Sequence, residues 1–239
     1  MDLKELDILG PDVGSHWYYQ AKARAVQRLL GTRAHTRVLD IGAGSGFFSK
    51  FLLEHTPLSE ACCVDISYEQ ESQALHAGKP VHYLKHIDSY PADLVLLMDV
   101  LEHVDDDVGL LADYVAKVPV GSTFLITVPA FQFMWSGHDD FLEHKRRYSL
   151  GQLEQTVRGA GLTVRRSAYY YGAVFPLAAV SRLAGRWLAP RDQAPRSQLR
   201  RHGPLSNAIL GGLCRIELPL MPFNRLGGLS AICLASKSS

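Results

Sequence analysis

Cysteine is scarce, at four in 239 residues, and the four are poorly placed for crosslinking. Cys62 and Cys63 are adjacent, Cys214 and Cys233 stand alone, and no pair has the spacing that a zinc module needs. This excludes a disulfide scaffold and favours a reducing compartment, so a cytoplasmic protein is expected. Long apolar runs are also lacking. No uncharged apolar stretch approaches the roughly 18 residues of a spanning helix, and MDLKELDILGPDVG carries acids in place of the basic and apolar run of an export signal. Proline is sparse, at 12 residues, while 47% of the chain is apolar and 21% charged. Disordered and collagen-like chains are excluded, and one sizeable core can be filled.

The net charge of +1 hides a strong polarity. Residues 1–142 hold 10 Lys and Arg against 20 Asp and Glu, whereas residues 143–239 hold 15 against 4. A basic second part suggests that it meets something anionic, although a solvated basic face would look the same.

Short β-branched runs alternate with helical stretches, the pattern of a parallel sheet with crossover helices. Strands are expected at 37–41, 61–66, 81–86, 94–99, 123–128, 162–170 and 229–235, and helices at 17–30, 47–55, 68–76, 106–117 and 150–160. About 55 residues then separate Tyr171 from the last strand, too many for a simple connection. They contain two apolar pieces around a basic linker, RDQAPRSQLRRHG. The chain therefore reads as one domain over 1–239, with a helical cover over 1–35 and a helical lid insertion over 172–226. An apolar face flanked by arginines also suggests that the insertion touches a membrane.

The strongest local signal is VLDIGAGSGFFSK, where a strand ends in Asp40, passes Gly42, Ala43, Gly44 and Gly46, and enters a helix at Phe47. Bare backbone there permits positive φ and close approach of a ligand, next to the free N–H groups of a helix start. The spacing is G-x-G-x-G. The dinucleotide fingerprint G-x-G-x-x-G would put its last glycine at position 47, which is Phe. The second strand, ACCVDIS, ends in Asp65, whose two oxygens can accept both hydroxyls of a ribose.

With these residues the chain resembles the class I S-adenosylmethionine-dependent methyltransferases, VLDIGAGSG looking like their first motif and VDIS their second. The resemblance implies a Rossmann-like α/β fold with a seven-stranded, mostly parallel sheet and an antiparallel last strand at its edge. It implies that Gly42 to Gly46 wrap the methionine part of S-adenosylmethionine, that Asp65 with Ile66 holds the ribose and Asp88 the adenine, and that Met98 and Asp99 flank the sulfonium. S-adenosylhomocysteine would be the product. SHWYYQAKARAVQRLL is similar to the N-terminal helix of small-molecule methyltransferases, including ubiquinone-pathway O-methyltransferases, with Trp17 as a cover and Lys22 or Arg24, the latter favoured for its fork, meeting the cofactor carboxylate. DVLEHV is similar to a Glu-His segment of the ubiquinone enzymes, some of which use a divalent metal. Asp99, Glu102 and His103 offer ligand atoms but define no closed site, and no metal is expected.

Methyl transfer from a sulfonium needs an acceptor held in line, water excluded and a proton removed. His103 is the first candidate base. VPAFQFMWSGHDDFLEHKRRYS, after the fifth strand, resembles a block of type 11 and type 23 methyltransferases. Phe131, Phe133 and Trp135 can wall an apolar pocket, His138 and His144 can exchange protons, and Lys145, Arg146, Arg147 and Tyr148 can bind an anion, unless Arg146 and Arg147 simply pair with the acidic half, including Asp139 and Asp140. The expected acceptor is thus a small or lipid-like molecule with an anionic group, methylated on oxygen. Nucleic acid is not expected, since DVLE stands where an N/D-P-P-Y/F tetrad would. A non-catalytic cofactor-binding adaptor at the inner membrane face is the alternative.

Overall fold

The computed structural model describes residues 14–188 and 203–238. Eight strands form one sheet in the order β3-β4-β2-β1-β5-β6-β8-β7. They are β1 (Arg37–Ile41), β2 (Glu60–Val64), β3 (Ser72–His76), β4 (Lys79–Leu84), β5 (Leu94–Met98), β6 (Thr123–Pro129), β7 (Leu162–Tyr170) and β8 (Ser230–Lys237). The five strands from β4 to β6 run parallel, β3 is antiparallel to β4, and β8 is antiparallel to both β6 and β7.

Parallel strands with both faces covered should read as unbroken apolar runs. Leu94 to Met98 do so, and all five are fully buried. One apolar layer forms on each face of the sheet, one around Phe48, Leu52 and Tyr170, the other around Leu111, Leu153 and Phe124. The helices packed there are α1 (Trp17–Leu30), α2 (Phe47–His55), α3 (Asp107–Ala116) and α5 (Leu150–Gly159), with a short α4 (Gly137–Phe141). Capping explains where α5 begins: Ser149 and Gln152 form a reciprocal capping box.

Two expectations are corrected. The segment 68–76 is not a helix. Ser72–His76 pairs with Lys79–Leu84 as a hairpin closed by Ala77 and Gly78, both at positive φ (51° and 75°), which is the twist that a two-residue turn requires. The sheet therefore has eight strands in place of seven. The last strand is antiparallel as expected but does not lie at the edge. It inserts between β6 and β7, and β7 is the edge. The insertion contains α6 (Phe175–Leu188) and α7 (Pro204–Glu217); most of its basic linker lies outside the described residues. Among the described residues no helix is long and apolar enough to cross a membrane.

Candidate active site

From β1 the sheet continues to β2 on one side and to β5 on the other, so the chain order reverses across β1. In open α/β sheets a crevice opens at the carboxyl ends at such a point. The ends there are Asp40–Gly46 after β1, Asp65 after β2 and Asp99 after β5. Gly42, Gly44 and Gly46 all have positive φ (62°, 53° and 69°). Glycine at 42 is also a packing requirement, since a Cβ would lie 2.7 Å from Val100 Cγ2. The amides of Gly42 and Ala43 donate to Val64 O, and Gly44 N donates to Asp65 Oδ2 at 2.8 Å, so the two strand ends are joined. Ser67 donates to the other oxygen of Asp65, and Tyr68 closes the loop by donating to Gly44 O at 2.7 Å. Ile66, next to this carboxylate, is 90% exposed.

Asp40 lies beneath the loop, fully buried, with Ser49 donating to Oδ2 while Oδ1 has no hydrogen-bond partner among the described residues. Burial, the dominant cause, pushes its carboxyl up to about 6. Asp88 is exposed on the loop after β4.

Positions 22 and 24 are two residues apart on a helix and point to opposite faces. Lys22 is fully buried and forms an ion pair with Asp99, its Nζ also donating to Tyr18 Oη at 2.8 Å. Burial alone would lower the ammonium pKa, but Asp99 outweighs it and raises the pKa above its ordinary range. Asp99 adopts φ 57°, a conformation unusual for a non-glycine residue, and accepts from Thr127 at 3.0 Å. Arg24 faces the other way, into a cavity of about 370 Å³ between α1 and α7 that Trp17, Asn207 and Arg215 also line. Arg24 and Trp17 are therefore not brought to the glycine loop, and the cation beside the end of β5 is Lys22.

After β5 a short turn, Leu101–His103, buries Glu102 completely, and among the described residues neither of its carboxylate oxygens has a hydrogen-bond partner. Burial first, and the carboxylate of Asp99 second, raise the Glu102 pKa well above the usual range. Glu102, His103 and His144 each offer a ligand atom within 4.8 Å of the others, the trio that a metal would find here in place of Asp99, Glu102 and His103. The rings of His103 and His144 meet edge to face at 4.8 Å. His144 Nδ1 lies 2.9 Å from Asp139 Oδ1.

Asp139 also explains the arginines. Arg147 is buried and forks onto both oxygens of Asp139 at 2.6 and 3.0 Å, while Nη1 donates to Ala130 O. Burial opposes ionisation of Asp139, but hydrogen bonds from His144 and Arg147 outweigh it and hold the carboxyl below its usual range. Arg146 donates to Val104 O and Asp105 O, and buried Tyr148 donates to Asp107 Oδ2 at 2.7 Å. The expected anion pocket of Arg146, Arg147 and Tyr148 is thus corrected: all three groups hold the loop together. His138 is pushed down to about 4, chiefly by burial. Phe131 stacks on Tyr169 and packs with Phe133 and Phe175 into an aromatic wall, beside which Arg182 donates to Met134 O. Trp135 donates to Asp140 Oδ1. Sequence reading missed the Asp139–His144 pair and Phe175; an aspartate at 139, five residues before His144, was the available signal for the first.

A switch-point crevice with a G-x-G-x-G turn and carboxylates at the ends of β2 and β5 defines the class I S-adenosylmethionine-dependent methyltransferases. The chain belongs to the methyltransferase-domain family, which it matches over residues 15–167. No curated protein matches the sequence. Among solved structures it is similar to a methyltransferase from Haloferax volcanii, described there as putative and complexed with the Trm112 activator: TM-score 0.58, 14% identity, 95% of this chain and 92% of that one. It is also similar to a sarcosine dimethylglycine methyltransferase from Galdieria sulphuraria, again so described as putative, with TM-score 0.54, 16% identity and 92% and 86% coverage. Phosphoethanolamine N-methyltransferase 2 of Haemonchus contortus gives 0.54 and 14%, covering all of this chain and 60% of that one. At such identities the likeness establishes the fold.

Proposed function

We propose that this methyltransferase transfers a methyl group from S-adenosylmethionine to an oxygen of a small or lipid-like acceptor that carries an anionic group. The observation that supports the cofactor site best is the contact of Gly44 with Asp65, which sets a bare turn and a half-buried carboxylate side by side at the switch point. The residues fit the cofactor. Asp65 retains acceptor capacity for the ribose hydroxyls, exposed Ile66 offers apolar surface to adenine, and Asp88 stands for the adenine amino group. Gly42, Ala43, Gly44 and Gly46 take the methionine part, the orphaned Oδ1 of Asp40 suits its ammonium, and Met98 and Asp99 flank the sulfonium. Lys22 takes the carboxylate role first given to Arg24.

Bound, the cofactor supplies a methyl group that already has a good leaving group. The chain must then hold the acceptor and take its proton. His144 suits the second task. Ionised Asp139 accepts from Nδ1 and so leaves Nε2 as the basic nitrogen, on the side of His103 and Glu102. His103 packs against this ring, and burial pushes His138 down to about 4, which disfavours it as a base. The aromatic wall of Phe131, Phe133 and Phe175 receives the apolar body of the acceptor, with Trp135 alongside. Arg182, which ends beside that wall, supplies the charge toward its anionic group. The insertion over 172–226 acts as a lid and as a peripheral contact with the inner membrane face of a cytoplasmic protein.

Incubation with methyl-labelled S-adenosylmethionine and a lipid extract tests this reading. Label should pass into an organic-soluble product, and His144→Ala should slow that passage by about a hundredfold with cofactor affinity unchanged. Label that never leaves the cofactor overturns it.

A further inference from the structure

The helix α7 and the residues after it turn an apolar face to solvent. Leu205, Ile209, Leu213, Ile216 and Leu220 are 76, 56, 40, 77 and 71% exposed. At 3.6 residues per turn the four positions on the helix, Leu205, Ile209, Leu213 and Ile216, fall within an arc of about 80°, so they form one stripe, and Leu220 lies in the turn after it. Phe223 and Leu226, at 72 and 96%, follow it. Scattered exposed leucines need no explanation, but a contiguous stripe marks a surface that is covered in use. The opposite side of α7 is already occupied: Cys214 is fully buried there, and Asn207 accepts from the backbone N–H of Trp17 at 2.8 Å and donates to Ser15 O.

Charge selects what covers the stripe. No charged residue lies between Gly203 and Cys214, while Arg191, Arg196, Arg200 and Arg201 precede the helix in sequence against one acid, Asp192; Arg215 follows, and the one acid of the helix, Glu217, is engaged with the amides of Gly172 and Ala173. An apolar stripe with flanking arginines suits acyl chains beneath anionic headgroups. Length selects how it lies. Fourteen residues rise about 21 Å, short of the roughly 30 Å of a hydrocarbon core.

We infer that α7 is an interfacial helix, lying along the surface of an anionic bilayer with the stripe of Leu205, Ile209, Leu213 and Ile216 sunk among the acyl chains. The inference rests on the proposed peripheral role of the insertion and specifies its element, orientation and lipid charge. It also ties the membrane to the site. The inner side of α7 rests on α1, which carries Lys22 to Asp99, and the first helix of the insertion begins at Phe175, part of the aromatic wall. A lipid-like acceptor would then reach the crevice from the bilayer.

Flotation of the full chain with vesicles tests it, comparing phosphatidylcholine alone with phosphatidylcholine mixed with phosphatidylglycerol, at low and high salt. The chain should float with the anionic vesicles, and salt should release it. Ile209→Asp combined with Ile216→Asp should reduce the floated fraction by about a hundredfold or more. Both positions are exposed, so the variant should keep its thermal midpoint and its binding of S-adenosylhomocysteine. Failure to float while S-adenosylhomocysteine is bound overturns this inference alone, whereas flotation without such binding overturns the cofactor reading alone. A dimer in sedimentation velocity that the double variant dissolves, with no flotation, assigns the stripe to a second copy and overturns the membrane assignment.

Discussion

Three carboxylates of the crevice differ because their surroundings differ. Asp65 accepts from the glycine turn at the rim, Asp99 is neutralised by Lys22, and the buried carboxylate of Glu102 has no hydrogen-bond partner among the described residues. Lys22 is fully buried and Asp99 half-buried, so removing the cation leaves a partly desolvated charge uncompensated. Lys22→Met should therefore lower stability by about 3 kcal/mol in urea unfolding at neutral pH, and an unchanged midpoint would refute the pairing. Asp40 behaves in the opposite sense. Its folded pKa, about 6, lies above the ordinary 3.8, so its contribution to stability is present below about pH 4 and is lost as pH rises through about 6. The loss should amount to about 3 kcal/mol. Asp40→Asn should flatten that part of the stability profile, measured by denaturant melts from pH 4 to 8, and an equal slope in both proteins would count against the buried carboxylate.

Among the elements, local patterns were readable and tertiary pairings were not. The glycine turn, the strand ends at Asp40 and Asp65 and the cover helix α1 follow from short-range signals, namely glycine spacing, an apolar run and 3.6-residue periodicity. Residues 68–76 looked helical because nothing in SYEQESQALH shows its edge partner. The pairing with β4 decides its conformation, and the cue was the Ala77–Gly78 turn. Gly78→Val, forced to φ 75°, should cost about 1 to 2 kcal/mol in thermal unfolding and leave S-adenosylhomocysteine affinity unchanged. Unaltered stability would show that the turn tolerates a branched residue. The arginines of HKRRYS illustrate the same limit. Sequence offers them equally to an anion or to Asp139, and only the burial of Asp139 shows that Arg147 is committed to it. Likewise, sequence cannot choose between Lys22 and Arg24 until α1 is docked and one face becomes the inner one.

For the whole molecule, the charge polarity read from composition finds a physical use. The acidic first part carries the cofactor crevice, and the basic second part carries the insertion with its outward apolar helix. Catalysis is expected to need no divalent ion, so transfer of label should proceed at the same rate in EDTA. Loss on chelation that a divalent ion restores would instead make Glu102, His103 and His144 a metal site. The grip of the crevice on an adenosyl ligand is tested most directly by calorimetry of the pure chain with S-adenosylhomocysteine. The native protein should bind it, and Asp65→Ala should bind it about tenfold to a hundredfold more weakly. A folded native chain that takes up none, or a variant that binds equally well, contradicts the assignment of that crevice.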